Sequence, residues 1–285
     1  MALLRCSKLI VVALWTLGGG SLFIRAAETN LVQFTQPAPY ATEEEIGRRF
    51  GFSVVPPDYD LSHERFRVQV PPGKATNTVH GLLVWLGPGE EGLFPSVWDE
   101  VLATHDLILV APLQCGDQRH PIDRLRLALD ATCNACRKYR IDRKRIFIGG
   151  FASGARMASM LGIACGDIFT GTLCICGINF HLHVPVGGTQ YYPGSFYPSP
   201  EVVQYARDKS RFVLVTGEGD PDYDHIKAVA DRGFRRDRFK NVLLLQVPGI
   251  FQATTPEPRT LEQALAFLEA SSPTSTNSTQ GPPPN

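Results

Sequence analysis

The chain has 285 residues, 44% hydrophobic and 20% charged, which suits one α/β domain with a large core or at most two small domains. Its 28 basic and 28 acidic side chains cancel, so it carries no overall basic footprint of the kind that marks a nucleic-acid partner.

Arg5 and Lys8 precede an apolar stretch, Leu9 to Leu17, that is too short to span a bilayer, and small residues follow up to Ala26-Ala27. This is the pattern of a secretory signal peptide over residues 1–26. It predicts a secreted or periplasmic protein with no stable membrane insertion once the signal is removed; an uncleaved anchor is the alternative. Arg25 leaves the cleavage point open. Losing Arg5, Lys8 and Arg25 with no acids gives a mature charge of about −3.

Residues 27–60 read as an N-terminal arm. Within it Thr42 to Phe52 starts with a threonine cap and an acidic turn, which predicts a short helix. Pro56-Pro57-Asp58 breaks the chain before a main domain over residues 61–270. Apolar strand candidates there begin near Glu64, Val79, Leu107, Ile146, Gly171, Arg211 and Val242. Helical stretches beginning near Pro95, Ile122, Ser153, Pro200, Asp224 and Thr260 alternate with them. The alternation predicts an α/β fold: a mostly parallel central sheet with helices on both faces. The first two strands are close enough in sequence for an antiparallel hairpin. In the helix from Ile122 to Tyr139, the residues Leu125, Leu129, Cys133 and Cys136 share one face, with Arg124, Asp130, Arg137 and Lys138 elsewhere. Residues 271–285, rich in Ser, Thr, Pro and Asn, read as a disordered tail.

Beyond the signal lie six cysteines: Cys115, Cys133, Cys136, Cys165, Cys174 and Cys176. An exported chain permits disulfides among them, in any of 15 full pairings. Small buried apolar side chains, or one or two disulfides, are the expectation. Cys174 and Cys176 would share one face of a strand. No second CxxC and no matched histidine pair accompanies them, so neither a metal site nor a cofactor is expected.

The chemistry concentrates in RIFIGGFASGARMA, Arg145 to Ala158. A β-branched run meets a glycine pair, and a helix begins at Ser153. This is the local shape of a nucleophile elbow, a sharp strand-to-helix turn flanked by glycines two residues either side of the nucleophile. Gly150 and Gly154 have that spacing, and between them stands Ala152, a methyl in place of a hydroxyl.

The motifs GLLVWLGPG (Gly81–Gly89), DLILVAP (Asp106–Pro112), YRIDRKRIFIGGFASGARMA (Tyr139–Ala158), FVLVTGEGD (Phe212–Asp220) and VLLLQVPGIFQ (Val242–Gln252) occur in that order. Over Gly81 to Leu268 the chain resembles the α/β-hydrolase fold. More narrowly it is similar to secreted esterases of the polyhydroxybutyrate depolymerase and feruloyl esterase type. The resemblance implies a triad in the order nucleophile, acid, histidine. Carried over, the nucleophile place is Ala152, the acid is Asp220 with Asp222 a rival, and the histidine place is Gln252. Alanine has no lone pair to attack a carbonyl, and a glutamine amide takes no proton near neutral pH. The expectation is therefore a catalytically impaired member that binds a small carboxylate or ester, or a polymer. The resemblance also implies an oxyanion hole from the Ser153 amide and the loop holding Gly87, Pro88 and Gly89; Pro88 has no N–H, and the alternative is that the glycines only make tight turns.

Ser153 is the candidate displaced nucleophile of an active carboxylic-ester hydrolase. Its neighbours two away are Phe151 and Ala155, too bulky for a shifted elbow, so helix initiation is the preferred reading. His181 and His183 alternate and would face one way in an extended segment, but no third metal ligand is visible, and two loop or core-satisfied histidines are the plainer reading. His225 follows the acid loop by a few residues and is a candidate to replace the missing base, against which it sits on a predicted helix and not on the last loop; His120 before Pro121 has no readable role. The aromatic segment Tyr191, Tyr192, Phe196 and Tyr197 is either a substrate-contacting loop or a proline-stiffened surface loop.

Overall fold

The computed structural model describes residues 28–53, 59–72, 78–251 and 254–270. The signal-peptide and tail readings, and Gln252, fall outside them.

β1 (Glu28–Val32) comes first, followed by α1 (Glu43–Phe50). The helix starts where predicted, with the Thr42 hydroxyl accepting from the Glu45 amide at 3.3 Å, and it stops at Gly51 in the left-handed region. There follow β2 (Phe66–Val70), β3 (His80–Leu86), α2 (Asp99–Thr104), β4 (Leu107–Pro112), α3 (Pro121–Lys138), β5 (Ile141–Phe151), α4 (Ser153–Ala164) and β6 (Gly171–Ile175). A small hairpin, β7 (Val184–Gly187) and β8 (Gln190–Tyr192), then precedes α5 (Pro200–Lys209) and β9 (Arg211–Thr216). α6 (Tyr223–Ala228) runs on into a π-helical turn, Val229–Phe234, and the described chain closes with β10 (Asn241–Gln246) and α7 (Pro258–Glu269).

Eight strands form one sheet in the order β1-β2-β4-β3-β5-β6-β9-β10, and every neighbouring pair from β4 to β10 is parallel. The predicted hairpin between the first two candidate strands does not form. β2 pairs antiparallel with β4, Val68 opposite Val110, and β3 lies beyond β4. The reason is burial. β3 is buried at every residue and belongs between two neighbours inside the sheet, whereas β2 carries half-buried Arg67 and Val70 and sits nearer the edge.

Alternate residues of the central strands feed two cores. Leu82, Val84, Ile108, Val110, Ile146 and Ile148 face α1, α3 and α4. Leu83, Trp85, Leu109, Phe147 and Val213 face α2 and α7. Both faces of the sheet are covered, as the alternation predicts.

α3 departs from its pattern. Leu125 and Leu129 are buried, but Arg124 (3% exposed) and Asp130 (0%) are buried as well. The arm covers Asp130, whereas Arg124 is buried against the Gly87 carbonyl and Ser153. Asp130 accepts from the Ala38 amide and the Tyr59 phenol, both at 2.5 Å, and Arg126 stacks on the Tyr59 ring at 4.3 Å. Burial raises the Asp130 carboxyl above its usual range even against those hydrogen bonds.

All six cysteines are free thiols. Cys174 and Cys176 do not share a face. Cys174 joins the α3/α4 core and Cys176 the other, because Cys176 takes φ 52° and breaks the alternation of β6. Among the described residues, no helix is long and apolar enough to cross a membrane.

Candidate functional site

The carboxyl ends of β5, β6, β9 and β10 lie in a row, and the turn between β5 and α4 sits at the middle of the sheet. Ala152 occupies this turn with φ 51° and ψ −117°, a backbone conformation that β-carbon-bearing residues rarely adopt. Its amide donates to the Ile175 carbonyl at 2.8 Å. The flanking glycines are required by contact. A Cβ on Gly150 would lie 2.4 Å from the Gly154 carbonyl carbon, and one on Gly154 would lie 2.0 Å from the Leu86 oxygen. Strand, turn and helix therefore approach as closely as the sequence motif demands.

Ser153 begins α4, and its amide is one of the first-turn amides that an α-helix leaves without an intrahelical partner. Its hydroxyl donates to the Asp117 carboxylate and accepts from Arg124 Nη2 at 3.2 Å. The same Arg124 Nη2 reaches the Gly87 carbonyl at 3.1 Å, and the guanidinium is almost wholly buried. A carboxylate so near the start of a helix is favoured by the helix dipole. The Gly87 amide lies close to the turn, 3.1 Å from where a Cβ on Gly154 would stand. Gly89 instead packs against Gly116 and the Glu91 carboxylate. Asp117 and Arg124 were missed in the sequence. Arg124 sits off the apolar stripe of α3, and only the fold shows that it points under the turn.

Asp220 follows β9 and is buried. Its carboxylate accepts from the Thr216 hydroxyl at 2.7 Å and from the Asp222 amide at 2.9 Å. It also faces the Cys176 thiol, which burial first, and then the Asp220 charge, push well above the usual thiol range. Asp222 is engaged by Arg156 of α4 at 2.5 Å. The two acids thus differ: one is locked into its own loop, the other ties that loop to α4. Ile250 of the last loop is buried and Phe251 half exposed, its ring against Gly219. A recess of about 250 Å³ opens beyond β9 and β10, lined by Gly217, Glu218, Tyr223, Gln246, Val247 and Pro248.

The histidines separate. His181 is buried, with Nε2 2.8 Å from Asp237, whereas His183 is exposed, accepting from the Gly194 amide at 2.9 Å and lying against Tyr191. They do not converge on a metal, and among the described residues no group of three His, Cys, Asp or Glu side chains is placed to hold one. His120 caps α3 through Nδ1, 3.3 Å from the Ile122 amide. His225 lies near Asp222 and Arg156, with its ring 4.4 Å from Tyr192. Burial, reinforced by the Arg156 charge, lowers its pKa. Of the aromatic segment, Phe196 is a core residue against Phe50, while Tyr191 and Tyr197 are exposed.

No known protein-family profile and no curated protein matches the sequence. Solved structures do match in shape. A substrate-bound fluorophosphonate-binding serine hydrolase F of Staphylococcus aureus aligns over 87% of this chain and 100% of its own, with 12% identity and a TM-score of 0.58. A bacterial heroin esterase aligns over 88% and 86%, with 17% identity and a TM-score of 0.56. A hyperthermophilic esterase of Pyrobaculum calidifontis aligns over 85% and 83%, with 13% identity and a TM-score of 0.56. The fold is the α/β-hydrolase fold, similar to that of esterases and serine hydrolases. At these identities the likeness is one of fold, and the chemistry of this chain rests on its own residues.

Proposed function

We propose that this chain is an exported α/β-hydrolase-fold protein that has lost ester cleavage and acts by binding a small carboxylate, an ester or a polymer at the β5–α4 turn. The observation that carries the reading is Ala152. It stands at the strained turn between two glycines that cannot be replaced, where an attacking hydroxyl would be presented, and it offers a methyl. The neighbouring hydroxyl supports the same reading. Ser153 is engaged by Asp117 and Arg124, not by an imidazole, so it has no general base of the usual kind. Gln252, the residue matching the histidine place, adds a second loss in sequence. The narrower likeness to polyhydroxybutyrate depolymerases and feruloyl esterases belongs to this proposal and gives the ligand class to try first.

The test is labelling of the folded, mature protein with a fluorophosphonate probe, mapping any modified peptide by mass spectrometry, alongside hydrolysis of short p-nitrophenyl esters. No label and no turnover above background is the expected result. A label on Ser153, lost together with turnover in Ser153→Ala, would replace this reading with that of an active serine hydrolase using a displaced nucleophile. In the double variant Ala152→Ser with Gln252→His, measurable hydrolysis is expected to return.

A further inference from the structure

Away from the turn, the segment from Asp231 to Lys240 (DRGFRRDRFK) places five cations and two acids in ten residues of a chain with no net charge overall. The fold gathers them. Arg236, Arg238 and Lys240 line a recess of about 440 Å³ together with Arg207 of α5 and the carboxylates of Asp208 and Asp237. Lys240 also lines an adjoining recess of about 330 Å³, together with Arg235 and Asp231. Both carboxylates are already engaged, Asp208 by Lys240 at 2.5 Å and Asp237 by Arg207 and His181. Burial alone would raise the Asp237 carboxyl, but its hydrogen bonds from His181 and Arg207 hold it below the usual carboxylate range. The exposed guanidinium groups of Arg235, Arg236 and Arg238 have no hydrogen-bonded or ionic partner among the described residues. They present positive charge to solvent, Arg236 and Arg238 at the first recess and Arg235 beside Asp231 at the second.

The segment is rigid. Phe234 and Phe239 are buried, meet edge to face with centroids 4.8 Å apart, and join Phe212 and Phe180 in one ring cluster. The backbone between them is pinned by Phe239 N to Phe234 O at 3.0 Å, Asp237 N to Gly233 O at 2.9 Å and Lys240 N to Arg207 O at 3.0 Å. Arg238 itself sits at φ 62°, in the left-handed region where glycine or asparagine is the unstrained choice. That conformation costs the backbone, while the Arg238 guanidinium stands free in solvent and open to a ligand.

We infer that this basic segment, with the two recesses beside it, binds a sulfated polysaccharide. Three unpaired guanidinium groups present forked donors to tetrahedral oxyanions. The cations are spread over two adjoining recesses, which fits a chain of repeated anions better than a single one. Nucleic acid fits less well, because single strands need exposed aromatic faces for their bases and the rings of this segment are turned into the core. The export expected from the signal sequence would bring the chain to such glycans. This site is separate from the β5–α4 turn, and its test is independent of ester turnover.

The experiment is retention of the mature protein on immobilised heparin, eluted with a NaCl gradient, and titration of labelled heparin at several salt concentrations. The wild-type protein is expected to stay bound at physiological ionic strength, about 0.15 M. In the triple variant Arg235→Ser, Arg236→Ser and Arg238→Gly it should wash through. Each cation removed should lower the slope of log K against log salt by about 1. Arg238→Gly alone should elute earlier while melting no lower than wild type, since glycine relieves the backbone; this variant decides the matter if the triple variant misfolds. Wild-type protein passing unretained, or variants eluting with it, would overturn the proposal. Retention on double-stranded DNA equal to or tighter than on heparin would overturn the assignment to a sulfated glycan.

Discussion

The Ser153 hydroxyl donates to the Asp117 carboxylate at the start of α4, so the place where a helix favours an anion already has one at its rim. Asp117 is largely exposed and is held there by Ser153 and by Arg124, 3.5 Å away. An incoming carboxylate has to compete with it. In Asp117→Ala the affinity for a short-chain carboxylate such as butyrate should rise by about fivefold, equivalent to about 1 kcal/mol. Calorimetric titration of both proteins measures this, and an unchanged affinity would show that Asp117 and the ligand do not share a place.

Backbone strain at Ala152 gives a second expectation. Glycine reaches φ 51° and ψ −117° freely, so Ala152→Gly should raise unfolding free energy by about 1 kcal/mol in urea titration. Gly154→Ala should lose about 3 kcal/mol or more, because its methyl meets the Leu86 oxygen at 2.0 Å. Gly187→Ala, with nothing within 4 Å of the new methyl, should stay within about 0.5 kcal/mol of wild type.

His225 makes stability depend on pH. Its pKa is lowered in the folded protein, chiefly by burial and further by Arg156, with Asp222 opposing. The unfolded chain therefore takes up this proton more readily, at about pH 6.5. The contribution is fully present above that pH and is lost as pH falls through the folded value. Thermal melts at pH 7.5 and 5.5 should differ less in His225→Gln than in wild type; an identical drop in both would exclude His225 as the cause.

The thiols sort by burial. Burial pushes Cys115 and Cys165 up to about 12, and it raises Cys174 and Cys176 further. Cys133 and Cys136 are partly exposed. In a chain lacking residues 1–26 an aromatic disulfide reagent should react with these two first, Cys136 the more slowly because burial raises its thiol, and reach the other four only in denaturant. More than two fast thiols would mean that the core opens in the native state.

Much of this architecture is legible in the sequence because burial on both sides leaves unbroken apolar runs, as in Leu107–Pro112 and Arg211–Thr216. β1 was not found, since Glu28–Val32 is short and mixed and becomes a strand only by pairing with β2. β7 and β8 are also short and pair only with each other, so no run of apolar residues announces them. Pairing partners are a tertiary choice, which is why nearness in sequence misplaced β2 beside β3. The elbow could be read from Gly150 and Gly154 because the constraint is local. The burial of Asp130 could not, because it depends on an arm far away in sequence closing over α3, nor that of Arg124, which depends on the β5–α4 turn and the Gly87 loop meeting over it. The shared face assigned to Cys174 and Cys176 failed on a single dihedral angle that no residue type announces.

Glu269 ends α7 between Arg145 Nη2, at 2.6 Å, and His105 Nδ1, at 2.8 Å. Arg145 lies early in β5, seven residues and about 23 Å of strand from Ala152. Anything joined after Ala270 therefore departs from the opposite pole of the sheet to the turn. A surface or reporter coupled there would hold the molecule by its base and leave the β5–α4 rim facing the solution, so that the proposed binding could be tested on an anchored protein.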